Sequence, residues 1–119
     1  MTAAVNEGGQ APPTGFGPDL EVTPLPDGAG WALRGSLDLA TVPLARDRLG
    51  DLWVQGATVV LDLSGLEFMD STGLNLFARG LVALGDDGTL VLRAPGGIVR
   101  RVLSVSGIEA RPNVRVEDA

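Results

Sequence analysis

Three residues that can take part in chemistry follow one another near the middle of the chain: Asp70, Ser71 and Thr72. They lie between an apolar run, Val59–Leu63, and a segment with helical periodicity. Two functions compete for such a cluster. A Ser or Thr oxygen can accept hydrogen bonds from the free N–H groups at a helix N-terminus, which makes a structural cap. A hydroxyl displayed there can instead be phosphorylated. Taken alone, these residue types favour the cap.

Most enzymatic chemistry is excluded by the residues that the sequence lacks. It contains no His, Cys or Tyr, and its nine basic residues are all Arg. A Ser-His-Asp triad, a Cys nucleophile, the usual zinc ligand sets and a phosphate-binding or Schiff-base lysine are therefore absent. Four acids could form a carboxylate pair or bind Mg²⁺, although solvated acids at loop ends are the simpler interpretation: Asp38, Asp62, Glu67 and Asp70. We predict no catalytic residue, no metal site and no cofactor.

The composition predicts one globular domain with a short additional segment. The 119 residues are 45% hydrophobic and 20% charged, which suits a single core. Residues 1–18 are rich in Gly and Pro, so we predict a flexible tail there and a domain over residues 19–119. The net charge of −6 argues against binding to nucleic acid or anionic membranes. No secretory signal and no membrane-spanning stretch is evident, and the predicted location is the cytoplasm.

Periodicity predicts the element order β-β-α-β-α-β-α-β, an α/β fold. The expected strands are Leu20–Leu25, Trp31–Leu37, Thr58–Leu63, Thr89–Arg93 and Val114–Val116. The first two form a hairpin, and the first lies at a sheet edge because it contains prolines. The later strands alternate with helices, so they should be parallel in a mixed sheet, with helices packed mainly on one face. The apolar third strand should be buried on both faces.

Three helices follow from apolar residues at helical spacing. The first should start after Thr41 as N-cap and continue to Gly56. The second should begin near Ser71. Pro95 should open the third, which ends before Gly107. The apolar side predicted for this third helix consists of Ile98, Val102 and Val105.

A family resemblance changes the balance between cap and phosphorylation site. Residues 59–74, VVLDLSGLEFMDSTGL, closely resemble the signature of the STAS domain, the fold of the anti-sigma-factor antagonists. GSLDLAT at residues 35–41 resembles the motif that precedes the first helix of that family. The resemblance extends over roughly residues 20–116 and implies the STAS-like mixed sheet. Two departures are Ser36, where the family usually has Glu, and a chain that ends where many relatives start a final helix.

The resemblance implies a signalling switch. In the antagonists, the first hydroxyl after the Asp is phosphorylated by an anti-sigma factor that is also a serine kinase, and this position is Ser71. The unphosphorylated antagonist binds the anti-sigma factor and releases a sigma factor, and the phosphorylated form dissociates. The resemblance implies partner contacts at Asp38, Asp70, Thr72 and Gly73, with a phosphatase as the reset step. For Gly73, easing the entry into the helix is an equal alternative, and Thr72 is more readily explained as a cap.

Two other functions remain open at this point. One keeps the fold but lacks phosphorylation: a STAS scaffold, for example the small subunit of a lipid-transport ABC complex. The other is a phosphate- or nucleotide-binding protein that uses the same helix N-terminus. Kinase labelling, co-purification with a permease, and titration with nucleotides would separate the three.

Overall fold

Five strands and three helices make up the computed structural model, which describes residues 19–26, 28 and 30–118. The elements, in chain order, are β1 (Leu20–Pro24), β2 (Trp31–Leu37), α1 (Val42–Leu49), β3 (Thr58–Met69), α2 (Ser71–Leu84), β4 (Thr89–Arg93), α3 (Gly97–Ser106) and β5 (Val114–Glu117). Short 3₁₀ turns follow α1 at Gly50–Leu52 and α3 at Ile108–Ala110. The predicted tail over residues 1–18 lies outside the described residues, so that domain boundary stays a prediction.

The strands lie side by side in sequence order, from β1 to β5. β1 pairs with β2 antiparallel, and the remaining pairs are parallel. Each β-α-β connection therefore moves one position in the same direction across the sheet. Since such crossovers are right-handed, their helices must lie on one face. The mixed sheet, the edge position of β1 and the one-sided helix layer are confirmed.

The third strand is the main correction to the predicted sheet. Val59, Leu61 and Leu63 are buried beneath the helices, whereas Val60 and Asp62 on the opposite face are only half-buried. The expectation of burial on both faces is wrong because the helices of the described residues cover one face of the sheet. The strand also continues past Leu63 to Met69, pairing with β2 through two register shifts. The residues just before Asp70 therefore belong to a strand rather than a loop.

Three helix predictions differ from the structure. α3 begins at Gly97 with Gly96 as N-cap, and not at Pro95. α1 ends at Leu49, well before Gly56, because Gly50 begins a 3₁₀ turn instead of another helical turn. In α3, Val99 and Leu103 face the core, while Ile98 and Val105 are 57% and 81% exposed. The predicted apolar side of α3 is thus mostly its outer side. The start of α2 at Ser71 and the left-handed Gly107 after α3 are confirmed.

Candidate functional site

Two turns that each contain an Asp and a nearby hydroxyl residue lie side by side at the carboxyl ends of β2 and β3. β2 and β3 are parallel and end in register, with Leu37 opposite Met69. Asp38 follows the first strand and Asp70 follows the second. The Asp70 N–H donates to the Leu37 carbonyl at 3.2 Å, which ties the two turns together. The fold therefore brings the predicted residues of both motifs to a single surface.

The cap of α2 is the acid and not a hydroxyl. Asp70 has extended backbone geometry at the N-cap position of the helix. Its Oδ1 accepts the backbone N–H of Thr72 at 2.9 Å and that of Gly73 at 3.3 Å. The Thr72 hydroxyl donates to the same oxygen. These bonds satisfy the free N–H groups that a Ser or Thr side chain would otherwise be needed to cap.

The same contacts keep Asp70 charged. The Thr72 hydroxyl is the largest cause that holds the pKa of Asp70 below its usual range. Partial desolvation acts in the opposite direction, and the backbone N–H groups of Gly73, Thr72 and Leu39 lower the pKa further. A carboxylate whose pKa is lowered is a weak proton acceptor. Asp70 is therefore suited to capping and to presenting negative charge, and it is poorly suited to act as a general base.

Ser71 keeps its hydroxyl available. It is the first residue of α2 and its side chain is exposed. Within the part of the chain that the structure describes, the Ser71 hydroxyl takes part in no hydrogen bond. The oxygen lies at the positively polarised end of a 14-residue helix. An exposed, uncommitted hydroxyl at this position can be approached by another protein.

The turn before α1 uses the same residue types differently. Thr41 is only 1% exposed, and its hydroxyl donates to the Ser36 carbonyl at 2.8 Å while accepting the Asp38 N–H at 2.9 Å. Asp38 Oδ1 accepts the N–H groups of Ala40 and Thr41 at 3.0 and 3.1 Å. Thr41 occupies the N-cap position but its side chain does not cap the helix. The predicted N-cap position at Thr41 is confirmed, but the hydroxyl makes no capping bond because it is committed to the preceding turn.

Gly73 is buried by tight packing. A Cβ on this residue would lie 2.8 Å from Leu37 Cγ, 2.8 Å from the Leu37 carbonyl oxygen and 2.9 Å from Met69 Cγ. Only glycine lets the first turn of α2 sit this close to the ends of β2 and β3. This geometry supports the structural alternative for Gly73. A partner could sense Gly73 only through its neighbours, and the predicted contact at this residue stays a prediction.

An apolar groove of about 330 Å³ runs from Ser71 between α2 and α3. It is lined by Asp70, Ser71, Leu74, Arg101, Val102, Val105 and Ser106. The predicted apolar side of Ile98, Val102 and Val105 did not indicate that α3 forms one wall of a groove. A usable signal was present in the sequence. Apolar residues at positions 98, 99, 102, 103 and 105 make a band wider than one buried stripe.

Metal and membrane features are lacking among the described residues. Over residues 19–118, apart from positions 27 and 29, no group of three or more potential ligands is placed to hold a metal ion. In that same part of the chain, no helix has the length and apolar character needed to cross a bilayer.

Comparison with known proteins identifies the family. The STAS domain model matches residues 31–118, so the chain belongs to the STAS domain family. The chain is 28% identical over 79 residues to the anti-sigma-F factor antagonist RsfB of Mycobacterium tuberculosis, in two strains. That alignment covers 66% of this chain and 65% of the relative, slightly less than two thirds of its length.

Two solved structures share the fold. A candidate anti-sigma factor antagonist from Thermotoga maritima superposes with a TM-score of 0.64 at 21% identity, covering 84% of this chain and 86% of the other. An anti-sigma factor antagonist from Mycobacterium paratuberculosis gives a TM-score of 0.63 at 24% identity, covering 81% and 83%. At these identities the likeness establishes the STAS fold.

Proposed function

We propose that this protein is an anti-sigma factor antagonist whose binding is switched by phosphorylation of Ser71. In the unphosphorylated state it binds an anti-sigma factor with serine kinase activity, and this binding releases a sigma factor in the cytoplasm. Phosphorylation ends the binding, and a phosphatase resets the switch. The observation that carries the proposal is the exposed Ser71 hydroxyl, which is uncommitted because Asp70 caps the helix.

The chemistry required of this chain is presentation of a nucleophile. The Ser71 oxygen attacks the γ-phosphorus of ATP bound to the kinase. An O–P bond forms, the bond from that phosphorus to the β–γ bridging oxygen breaks, and ADP leaves with the electron pair. The hydroxyl proton passes to a base on the kinase, because the pKa of Asp70 is lowered and makes this residue a poor acceptor. The antagonist itself is a substrate rather than a catalyst.

The position of Ser71 allows the switch to act without unfolding the domain. A phosphate adds about −1.5 to −2 charges at neutral pH. At a helix N-terminus, free N–H groups and the dipole favour an anion by about 0.3–2 kcal/mol. On the docking surface, by contrast, two like charges 4 Å apart repel by ~4 kcal/mol at an effective dielectric of about 20. Since each 1.4 kcal/mol is about tenfold in affinity, one phosphate can weaken binding by orders of magnitude.

The test is phosphorylation by the cognate anti-sigma kinase. Incubation with ATP should add one phosphate, mapped by mass spectrometry to Ser71, and Ser71→Ala should remain unlabelled. Ser64→Ala removes another exposed serine hydroxyl, from β3, and should be labelled like the wild type. Phosphate that still appears on the Ser71→Ala variant would contradict the proposal.

Binding measurements complete the test. Ser71→Ala should bind the anti-sigma factor as tightly as the unphosphorylated wild type, even in the presence of ATP. The phosphorylated wild type should bind at least ~10-fold more weakly, because one phosphate places like charge on the docking surface. If no kinase labels the protein and it co-purifies with a transporter ATPase and permease, the non-phosphorylated scaffold would replace this proposal.

A further inference from the structure

One cationic side chain lines the groove next to Ser71. Arg101 lies on α3 and Ser71 begins α2, and both residues line the same groove. We propose that Arg101 is the intramolecular counter-ion of phosphorylated Ser71 and holds the phosphate across the mouth of the groove. This inference rests on the proposed function, since it concerns what the phosphate does once it is attached.

The polar and charged side chains around Arg101 already have partners, which leaves Arg101 as the group that can bind a phosphate. Arg100 pairs with Glu109 at 3.2 Å and with Asp118 at 2.8 Å. Among the residues that the structure describes, no carboxylate lies within ion-pair distance of Arg101. In the same groove, the Ser106 hydroxyl donates to the Leu103 carbonyl at 2.9 Å and accepts the Ile108 N–H at 3.2 Å. The remaining charged group of the groove, Asp70, is negative and caps α2.

The exposed side chain of Arg101 lies beside an apolar wall and has the chemistry to bind a phosphate at the mouth of the groove. The groove wall is apolar, formed by Leu74, Val102 and Val105. The methylene stem of an arginine can lie along such a wall while its guanidinium stays at the mouth. The planar guanidinium donates two parallel hydrogen bonds to phosphate oxygens, which a lysine cannot do.

The pair would give phosphorylation a second consequence besides added charge. Ionised Asp70 adjoins Ser71 and repels the phosphate, and the guanidinium of Arg101 offsets this repulsion from the opposite side of the groove. Once paired, phosphate and guanidinium cover the apolar wall between α2 and α3. A protein that docks along this groove would then lose both an uncharged surface and access to the wall. The phosphorylated state is thereby stabilised within the antagonist itself.

The test needs no kinase. Phosphoserine is incorporated at position 71 during translation, and the second pKa of its phosphate is measured by ³¹P NMR titration. A nearby guanidinium favours the dianion, so Arg101→Gln should raise this pKa by about half a unit or more. Arg101→Lys keeps the charge without the bidentate geometry and should give an intermediate value.

A matched control separates pairing from the general field of the protein. Arg79→Gln removes the same charge from an exposed position on α2, outside the groove, and should leave the phosphate pKa unchanged. Circular dichroism of each variant confirms that it is folded. An Arg101→Gln value equal to wild type, or an equal shift in Arg79→Gln, would overturn the inference. Absence of kinase labelling at Ser71 would instead overturn the proposed function, which makes the two failures distinguishable.

Discussion

The turns that begin α1 and α2 contain the same residue types and put them to opposite uses. Before α1, the Thr41 hydroxyl is buried and makes two hydrogen bonds that hold the end of β2. Before α2, the Ser71 hydroxyl is exposed and, within the described chain, uncommitted. In both turns the acid accepts the backbone N–H groups that follow it. The two turns therefore differ in the hydroxyl and not in the acid.

Spacing between acid and hydroxyl explains this difference. In the first turn the hydroxyl comes three residues after Asp38, so it points back beneath the strand that precedes it. In the second turn Ser71 directly follows Asp70 and becomes the first helical residue, outside the capping bonds. In this second turn it is Thr72 that resembles Thr41, because its hydroxyl is committed to a hydrogen bond within the turn, with Asp70. A hydroxyl is left available only when its neighbours complete the cap.

The largest difference between the turns should be seen when each hydroxyl is removed. Thr41→Val keeps the side-chain shape but leaves the part-buried Ser36 carbonyl and Asp38 N–H without this partner. We expect the free energy of unfolding to fall by about 2–3 kcal/mol. Ser71→Ala, in contrast, should change it by less than about 0.5 kcal/mol. Urea denaturation of the three proteins measures both values, and equal losses would refute the contrast.

A second prediction concerns the close packing that only the α2 turn requires. Gly73→Ala would place a Cβ 2.8 Å from the rigid Leu37 carbonyl oxygen, so the helix must shift away from the strand ends. We expect a loss of about 2 kcal/mol, within the range for overpacked sites. Gly50→Ala is the matched control, because no atom lies within 4 Å of the added Cβ and its φ of −55° suits alanine. Thermal unfolding should show a lower Tm for Gly73→Ala alone.

The extent to which the sequence predicts this molecule depends on the range of the interactions involved. Strands and helix starts are local, and Trp31–Leu37 and the start of α2 at Ser71 were predicted at their observed positions. The edge position of β1 followed from its prolines. Burial of β3 on one face was not predictable from its apolar residues, because the sequence of a strand does not show whether helices cover one face of the sheet or both. The solvent exposure of Val105 on α3 was not predicted, for a similar reason.

The candidate site shows the same limit at the level of single atoms. The motif at 70–73 indicated a cap or a phosphorylation site, and both expectations rested on the residue types of one turn. Which oxygen makes the cap depends on backbone geometry at Asp70 and on the neighbouring β2–α1 turn, whose Leu39 N–H also stabilises the carboxylate. Such contacts between turns that are distant in the sequence are set by strand register. These contacts determine that Asp70 caps the helix and that the Ser71 hydroxyl stays available.

The smallest expected effect concerns the charge of the Asp70 cap. Asp70→Asn keeps a capping oxygen and should reduce stability at pH 7 by only about 0.5 kcal/mol, the contribution of a negative charge at a helix N-terminus. Because the pKa of Asp70 is lowered in the folded state from 3.8, the charge contributes fully above pH 3.8. This contribution is lost as the pH falls through the lower folded pKa. The stability difference between wild type and Asp70→Asn should therefore vanish in acid.

Thr72→Val sharpens this last prediction, because the Thr72 hydroxyl is the largest cause of the lowered pKa. Without that donor, the folded pKa of Asp70 moves back towards 3.8, and the acid-dependent part of the stability shrinks. Denaturation curves collected between about pH 2.5 and 7 compare the three proteins over the range where a carboxyl titrates. A stability difference that persists unchanged in acid would mean that the cap acts through its shape alone. The Ser71 hydroxyl would then still be left out of the cap, but the negative charge of Asp70 beside it would contribute nothing to the stability of the fold.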